Sequence, residues 1–365
     1  MMKALTIGGA TIDTIAIIDS DRIERMAMSN ADRSFLLLEE GGKTEAQEIS
    51  IHCGGGGVNA AVAMSRLGLD VSTLVKLGTD ARADQLMSRL TAEGVSTRWV
   101  HRDRRAPTGS SVLVSSHDSN AAIFTFRGAN TLMESADLTE EAFAADVVYV
   151  ANLSNKSAEV FPDVLKFAKK NGAIVATNPG TRQLSAYVKS FEDNIQLIDI
   201  LTINRHEAET LLPSLVASVG EGGPALPVID GQAQPALAAR GLTGGGFDMS
   251  LSRFFGTLTE KGIKHVVLTD GSRGAFVATA DEILYCPACK CSVVGTAGAG
   301  DAFAATYTAY VAMGRPDDQA LQAATINAAS VVGHVDTQTG LMQSDDLEAA
   351  LREAAQSLAV RRWPL

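Results

Sequence analysis

"GTAGAGDAFAA", residues 295–305, sets three glycines and a run of small residues before one aspartate, and an apolar helical pattern follows at once. Gly298, Ala299 and Gly300 carry almost no side chain, so their backbone N–H groups can approach an anion closely. A helix beginning near Ala302 adds its positive N-terminal end, where the first N–H groups lack intrahelical partners. Such a cradle suits the charge that develops on a transferring phosphoryl group. Asp301 then stands where it can accept a proton from an attacking hydroxyl. Phosphoryl transfer asks for little beyond positioning, charge neutralisation and such a base. The plain alternative is a tight turn with Asp301 as a helix N-cap.

Outward from this loop the chain alternates strand-like and helix-like runs. "DVVYVAN", "AIVATNPG", "IDILTIN" and "HVVLTDG" read as buried strands, separated by helical stretches such as "SAEVFPDVLKFAKKNG" and "RHEAETLL". This rhythm predicts a mostly parallel sheet with helices on both faces. Two regions break it. Residues 14–50 and 105–127 are strand-like without intervening helices and read as a small separate sheet, a lid; His117-Asp118-Ser119-Asn120 is its expected hairpin turn. Residues 213–250, rich in Gly, Pro and Ala, read as an insertion containing a long loop.

Composition narrows the function. The chain has 365 residues, 46% of them apolar but only 5% aromatic, so its core is mostly aliphatic. Its net charge of −11 and lack of basic runs argue against nucleic-acid or anionic-membrane partners. No apolar stretch reaches the ~18 residues of a membrane span, and Met1 leads directly into a strand-like run without a leader pattern. Cys53, Cys286, Cys289 and Cys291 form no disulfide framework, so a reducing cytoplasm is expected.

Four further motifs carry candidate chemistry. "CGGGGVNAA", 53–61, spends four consecutive glycines before a helix, which points to close backbone approach, and Asn59 can bond sugar hydroxyls. It is no P-loop, because no lysine follows. In "GGATID", 8–13, Asp13 follows a strand end and can take bonds from two hydroxyls. "INRHEAETLL" puts Asn204 and Glu207 at a helix start, where the carboxylate can hold Mg²⁺ through water or simply close a capping box. "TDGSRGA", 269–275, offers Thr269, Gly271 and Gly274 in a tight turn suited to phosphates, or a plain hairpin.

Taken in order, Asp13, Gly55-Gly56-Gly57-Val58-Asn59, Asn204 to Glu207, Thr269 to Gly274 and Gly298 to Asp301 resemble the ribokinase-like (PfkB) carbohydrate kinase family. "FRGAN", 126–130, resembles the end of that family's lid strands. The resemblance spans roughly residues 3–355. It implies one α/β domain over 1–365, a ribokinase-like three-layer α/β/α fold with a mostly parallel central sheet and a small β-sheet lid. It implies transfer of the γ-phosphoryl of ATP to a sugar or nucleoside hydroxyl, with ATP and Mg²⁺ required. Asp301 is then the base, and Gly298, Ala299 and Gly300 the anion hole. Asp13, Gly55, Gly56, Gly57, Asn59, Arg127 and Asn130 bind the acceptor. Asn204, Glu207, Thr269, Gly271, Gly274 and Asn327 serve the nucleotide, with Asn327 lining the adenine pocket and Glu207 holding Mg²⁺ through water.

The chain departs from the family at Gly295 and Ala297, where a carboxylate and a hydroxyl usually help bind a monovalent cation. Either K⁺ dependence is reduced, or a K⁺ site is rebuilt from the 334–340 loop, with Asp336 as the candidate ligand beside Thr337 and Thr339. A neutral sugar is the expected acceptor, because the glycine motif carries no basic residue. A nucleoside remains an alternative, with Phe35, Phe124 or Phe126 to stack on its base, and a non-catalytic sensor is a more remote one. "CPACKC" suggests a metal, but cysteines alternating along a strand would point to opposite faces. Lid edges invite pairing of two subunits into a homodimer.

Overall fold

A computed structural model describes residues 1–19, 24–27, 34–37, 41–115, 122–229, 231, 233–354 and 357–365. The expected turn at 117–120 lies outside them. Six parallel strands run side by side in the order Asp70–Leu74, Lys3–Ile7, Val147–Ala151, Ile174–Asn178, Ile200–Asn204 and His265–Thr269. Three antiparallel strands, Ala275–Ala278, Glu282–Cys286 and Arg361–Pro364, extend the sheet beyond His265–Thr269. Both faces are covered, which is why these strands read as continuous apolar runs. Along Val147–Ala151, Val147, Tyr149 and Ala151 join one core layer and Val148 and Val150 the other. Helices Gly56–Arg66, Ala81–Ala92, Ala299–Ala312 and Asp317–Val332 bury their apolar sides in the first layer. Helices Phe161–Lys170, Arg205–Val219 and Leu251–Glu260 bury theirs in the second.

The second sheet is the lid, in the order Ala122–Phe126, Gly109–Ser115, Thr11–Ile18 and Ala46–Gly54. Its Ile15, Ile17 and Leu113 cluster with Ala297 and Val335 of the main body. The lid thus lies over the loop that leads into helix Ala299–Ala312. Strands Glu24–Ala27 and Ser34–Leu37 pair antiparallel as a separate two-stranded sheet.

The irregular segment begins later than its composition suggests. Helix Arg205–Val219 runs through Pro213. A proline leaves the carbonyl four residues earlier unpaired, here Glu209. The hairpin Leu242–Gly244 with Phe247–Met249 follows, and Gly244 lies against that carbonyl so closely that no Cβ would fit. Among the described residues no helix is long and apolar enough to cross a membrane.

Candidate active site

The parallel strands all end at one edge of the sheet, and the motif residues gather along it. Helix Ala299–Ala312 starts there from Gly298, whose φ of 80° is left-handed, a conformation glycine adopts without a Cβ penalty. Its first intrahelical bond runs from the Ala302 N–H to the Gly298 carbonyl, 2.9 Å. The N–H groups of Ala299, Gly300 and Asp301 therefore have no intrahelical partner. Asp301 is not the N-cap. It sits inside the first turn, half-buried, and its Oδ2 accepts a 2.8 Å bond from Asn59 Nδ2. Burial pushes its pKa up, the Asn59 bond pulls the other way, and the charge of Asp13 adds to the rise.

The four glycines divide by role. A Cβ on Gly55, whose φ is 94°, would lie 2.6 Å from the Gly9 carbonyl oxygen, and one on Gly57 would lie 2.9 Å from the Gly8 nitrogen. Both are small so that the helix start can press on the turn after the first strand, where the Gly57 N–H donates to the Gly9 carbonyl. Gly56 borders Asp301: a Cβ there would sit 3.3 Å from Asp301 Oδ1.

Asp13 lies on the lid strand Thr11–Ile18, in register with Ser111 and His52 on its two neighbours. Ser111 Oγ donates to Asp13 Oδ1 at 2.6 Å. Burial raises the Asp13 pKa, and bonds from Ser111 and Thr11 partly offset the rise. Two carboxylates of raised pKa, one on the lid and one at the helix start, are thus close enough for the charge of Asp13 to act on Asp301.

Three expected ligand-binding residues are committed elsewhere. Asn59 is 3% exposed, and its Oδ1 accepts from Thr337 Oγ1 at 2.9 Å and Gln338 Nε2 at 3.1 Å while its Nδ2 serves Asp301. It holds Asp301 and presents no free amide. Asn130 clasps the Ala10 backbone, accepting from its N–H and donating to its carbonyl, both at 2.9 Å, and so ties the end of the lid to the first strand. Asn327 is fully buried, donating to Thr306 Oγ1 and accepting from the Met342 N–H, so it braces two helices instead of lining an open pocket. Arg127 Nη1 reaches from the lid's end to Ser154 Oγ, 2.8 Å. Phe124 and Phe126 flank Thr125, which is in register with the Asp13 partner Ser111. Strand alternation therefore turns both aromatics to the face away from Asp13, where they are exposed.

On the other side of Asp301, Asn204 and Thr269 are register partners at adjacent strand ends. The capping box forms: Asn204 Oδ1 accepts from the Glu207 N–H, and Glu207 Oε2 from the Asn204 N–H, both at 2.9 Å. Glu207 is nonetheless titrated upward to about 7, first by burial, against its Asn204 bonds, with the Asp301 charge adding to the rise. The turn Gly271–Arg273 follows Thr269, braced by two 2.7 Å bonds from Arg273 to Asp270. Gly274 closes it, with no room for a Cβ beside the Cys286 carbonyl.

Gly295 packs against the loop that begins at His334: a Cβ there would lie 2.9 Å from the His334 carbonyl oxygen. Asp336 Oδ1 accepts the N–H groups of Gln338 and Thr339, both at 2.8 Å. Burial opposes its ionisation, but these bonds, the Thr339 hydroxyl and nearby His52 hold its pKa below the ordinary value. The strand carrying Cys286 ends at that residue, so Cys289 and Cys291 lie on a loop and the alternation expected of them does not apply. Among the described residues no cluster of His, Cys, Asp and Glu could hold a metal ion.

Ser111, Thr337, Gln338 and Tyr149 belong to the site without having been singled out for these roles. Ser111 and Gln338 look like ordinary polar residues of a strand and a loop. Tyr149 reads as core, yet its buried hydroxyl has no partner among the described residues. Burial raises its pKa, and the charges of Asp301 and Glu207 raise it further.

The chain matches the family model described as pfkB family carbohydrate kinase over residues 14–228 and 250–344. It is 27% identical to a deoxyribokinase of Salmonella typhimurium over 327 residues, 89% of this chain and 94% of that protein. Its fold is similar to that of a candidate ribokinase II from E. coli in complex with ATP and Mg²⁺, with a TM-score of 0.74 and 16% identity, covering 97% of this chain and 100% of that one. It is also similar to a nucleoside kinase of Methanocaldococcus jannaschii, with a TM-score of 0.72 and 18% identity over 97% of this chain and 99% of that one.

Proposed function

Because the chain belongs to the pfkB family of carbohydrate kinases, enzymes that transfer a phosphoryl group to an alcohol, we propose that it moves the γ-phosphoryl of ATP to a hydroxyl of a neutral sugar with Asp301 as general base. The observation that carries this reading is the start of helix Ala299–Ala312. N–H groups without intrahelical partners and a carboxylate of raised pKa stand side by side there, within reach of the charge of Asp13.

Asp13 orients the acceptor hydroxyls, and Asp301 takes the proton of the one that reacts. That hydroxyl's oxygen bonds to the γ-phosphorus as the bond to the ADP oxygen breaks. The N–H groups of 299–301 receive the charge on the equatorial oxygens. Burial strengthens Asp301 as a base, since a raised pKa brings it nearer to working pH. The lid cluster of Ile15, Ile17 and Leu113 over Ala297 keeps water from competing. The donor chemistry fits Mg²⁺: Glu207 offers a buried, hard carboxylate oxygen beside Asp301, and through water it would hold an ion that neutralises phosphate charge. Asn204, Thr269 and the Gly271–Gly274 turn lie along the same strand ends and would receive the nucleotide phosphates.

Support for a sugar over a nucleoside comes from the lid. Phe124 and Phe126 face away from Asp13, so they offer no stacking surface to a base. The same outer face exposes Ile49, Ile51 and Val112, which supports pairing of the lids of two copies into a homodimer.

The test is ADP release from Mg-ATP across a panel of sugars and nucleosides, with Asp301→Asn as control. We expect turnover on a free sugar and a loss of about 10²–10⁴ in the variant. Turnover on nucleosides alone would replace the acceptor class. ATP binding without turnover on any acceptor would favour a sensor, and undiminished turnover in Asp301→Asn would overturn the assignment of the base.

A further inference from the structure

Behind the base, outside the acceptor gap, runs a chain of hydrogen bonds that none of the motifs accounts for. Glu93 closes helix Ala81–Ala92 and gathers two arginines: its Oε1 lies 2.7 Å from Arg66 Nη2 and 2.8 Å from Arg89 Nη2. Arg66 belongs to the same helix as Asn59, and its Nη1 donates to the Gln338 and Leu341 carbonyls at 2.9 and 2.5 Å. Arg89 Nε donates to Gln338 Oε1 at 3.0 Å. Gln338 Nε2 donates to Asn59 Oδ1 at 3.1 Å, and Asn59 Nδ2 donates to Asp301 Oδ2 at 2.8 Å.

The direction of this chain is set at both ends, one a guanidinium that only donates and the other an ionised carboxylate that only accepts. Arginine has donors and no acceptor. Its bond therefore requires the Gln338 oxygen to face outward and the Gln338 NH₂ to face Asn59. Asn59 must then turn its oxygen toward Gln338 and its NH₂ toward the carboxylate. Gln338 is 2% exposed and Asn59 3%, so an amide turned the wrong way would leave buried polar atoms poorly paired. Thr337 also donates to Asn59 Oδ1, but a hydroxyl can accept as well as donate and cannot impose an orientation alone.

We propose that Arg89 and Gln338 are positioning residues for the catalytic base: together they fix the Asn59 amide so that it presents N–H rather than C=O to Asp301. The proposal rests on Asp301 being the base. Asn59 in the opposite orientation would set a carbonyl oxygen against the carboxylate and swing it from the reacting hydroxyl. Neither Arg89 nor Gln338 needs to touch acceptor or nucleotide for this, so the effect belongs in kcat and not in substrate binding.

The variants are Gln338→Leu, which removes both bonds, and Gln338→Glu, which still accepts from Arg89 but no longer donates to Asn59. Arg89→Met and Arg89→Lys complete the set, the lysine restoring an outer donor. Each is measured for kcat, for KM of ATP and acceptor, and for melting temperature. Gln338→Leu is measured again in an Asn59→Ala background. We expect kcat to fall about ten- to a hundredfold in Gln338→Leu, Gln338→Glu and Arg89→Met, with both KM values within about twofold. Arg89→Lys should recover most of the Arg89→Met loss. Gln338→Leu should cost nothing further once Asn59 is alanine, because it acts through that residue. Should Gln338→Leu fold poorly, Gln338→Glu and the Arg89 pair carry the same comparison. Unchanged kcat in Gln338→Glu while Asp301→Asn is inactive would overturn the proposal, as would full additivity with Asn59→Ala. Retained turnover in Asp301→Asn would instead overturn the reading of the base beneath it.

Discussion

Gly298→Ala puts the helix start to its most direct test. At φ 80° an L-residue costs about 1–2 kcal/mol. The new Cβ would also lie 2.6 Å from Thr337 Cβ and 2.9 Å from Thr337 Cα and Cγ2. Two of those three neighbours are fixed to the backbone or one bond from it, so they cannot swing away and the loop itself must move. Overpacking of this kind costs about 1–3 kcal/mol. The sum is about 2–5 kcal/mol, which for a chain of 365 residues is a fall in Tm of roughly 3–7 °C. Moving Thr337 also loosens its bond to Asn59 and turns the N–H groups of 299–301 off their target. Loss of one well-aimed oxyanion donor reduces kcat about 10²–10³. Thermal unfolding and ADP release on purified protein read both effects. Gly300→Ala is the contrast, since a Cβ at Gly300 meets nothing within 4 Å. Its Tm should stay within about 1 °C of the parent. If Gly298→Ala keeps the parental Tm and kcat, then neither the left-handed start nor its contact with Thr337 holds the site together.

Other consequences can be checked in parallel. Glu207 is raised from 4.5 to about 7, so its proton is held more tightly in the folded chain, and the stability this supplies at low pH is lost as pH rises through about 7. Glu207→Gln, which keeps an acceptor for the capping box, should therefore melt higher than the parent in metal-free buffer above pH 7. The advantage should be on the order of 3 kcal/mol and should vanish below about pH 4.5; a gap that widens on acidification would contradict this. Asp301 must be ionised to act, and its pKa is raised, so kcat should decline on acidification with a limb above the ordinary aspartate value of 3.8; a limb at or below that value in the pH–rate profile would count against it. Asn130→Ala leaves the Ala10 N–H and C=O buried and unpaired and should cost about 2–3 kcal/mol, seen in denaturant melts with little change in acceptor KM at permissive temperature; a selective rise in KM would return Asn130 to the acceptor site. With Gly295 and Ala297 in place of oxygen-bearing side chains, replacing K⁺ by Tris should leave turnover within about threefold; collapse without K⁺ would point to a cation site built from the 334–340 loop.

The assignments that survived best are those in which the relevant chemistry is local. The helix start after small residues at 298–300 and the Asn204–Glu207 capping box each span only a few residues, and sterics and hydrogen bonds within those residues decide them. Asn130, Asn327 and Asn59 were harder. An asparagine in a motif has the same donors and acceptor whether it meets a ligand or a backbone, and its neighbours in sequence say nothing about which. Pro213 misled for a related reason: a proline ends a helix unless something else covers the carbonyl it frees, and the covering hairpin lies some thirty residues further along.

The sequence by itself determined the layered α/β architecture, the separate lid and the small-residue start of helix Ala299–Ala312. Apolar periodicity and glycine spacing act through short-range packing and backbone sterics. Only the tertiary structure decided what aims the base. Asn59 and Asp301 are 242 positions apart, and Thr337 lies 278 from Asn59. The hydrogen-bond chain through them runs from Asp301 to Arg89, on a helix outside every motif. Hydrogen-bond direction passes through contacts in space, and no local pattern of residues encodes it.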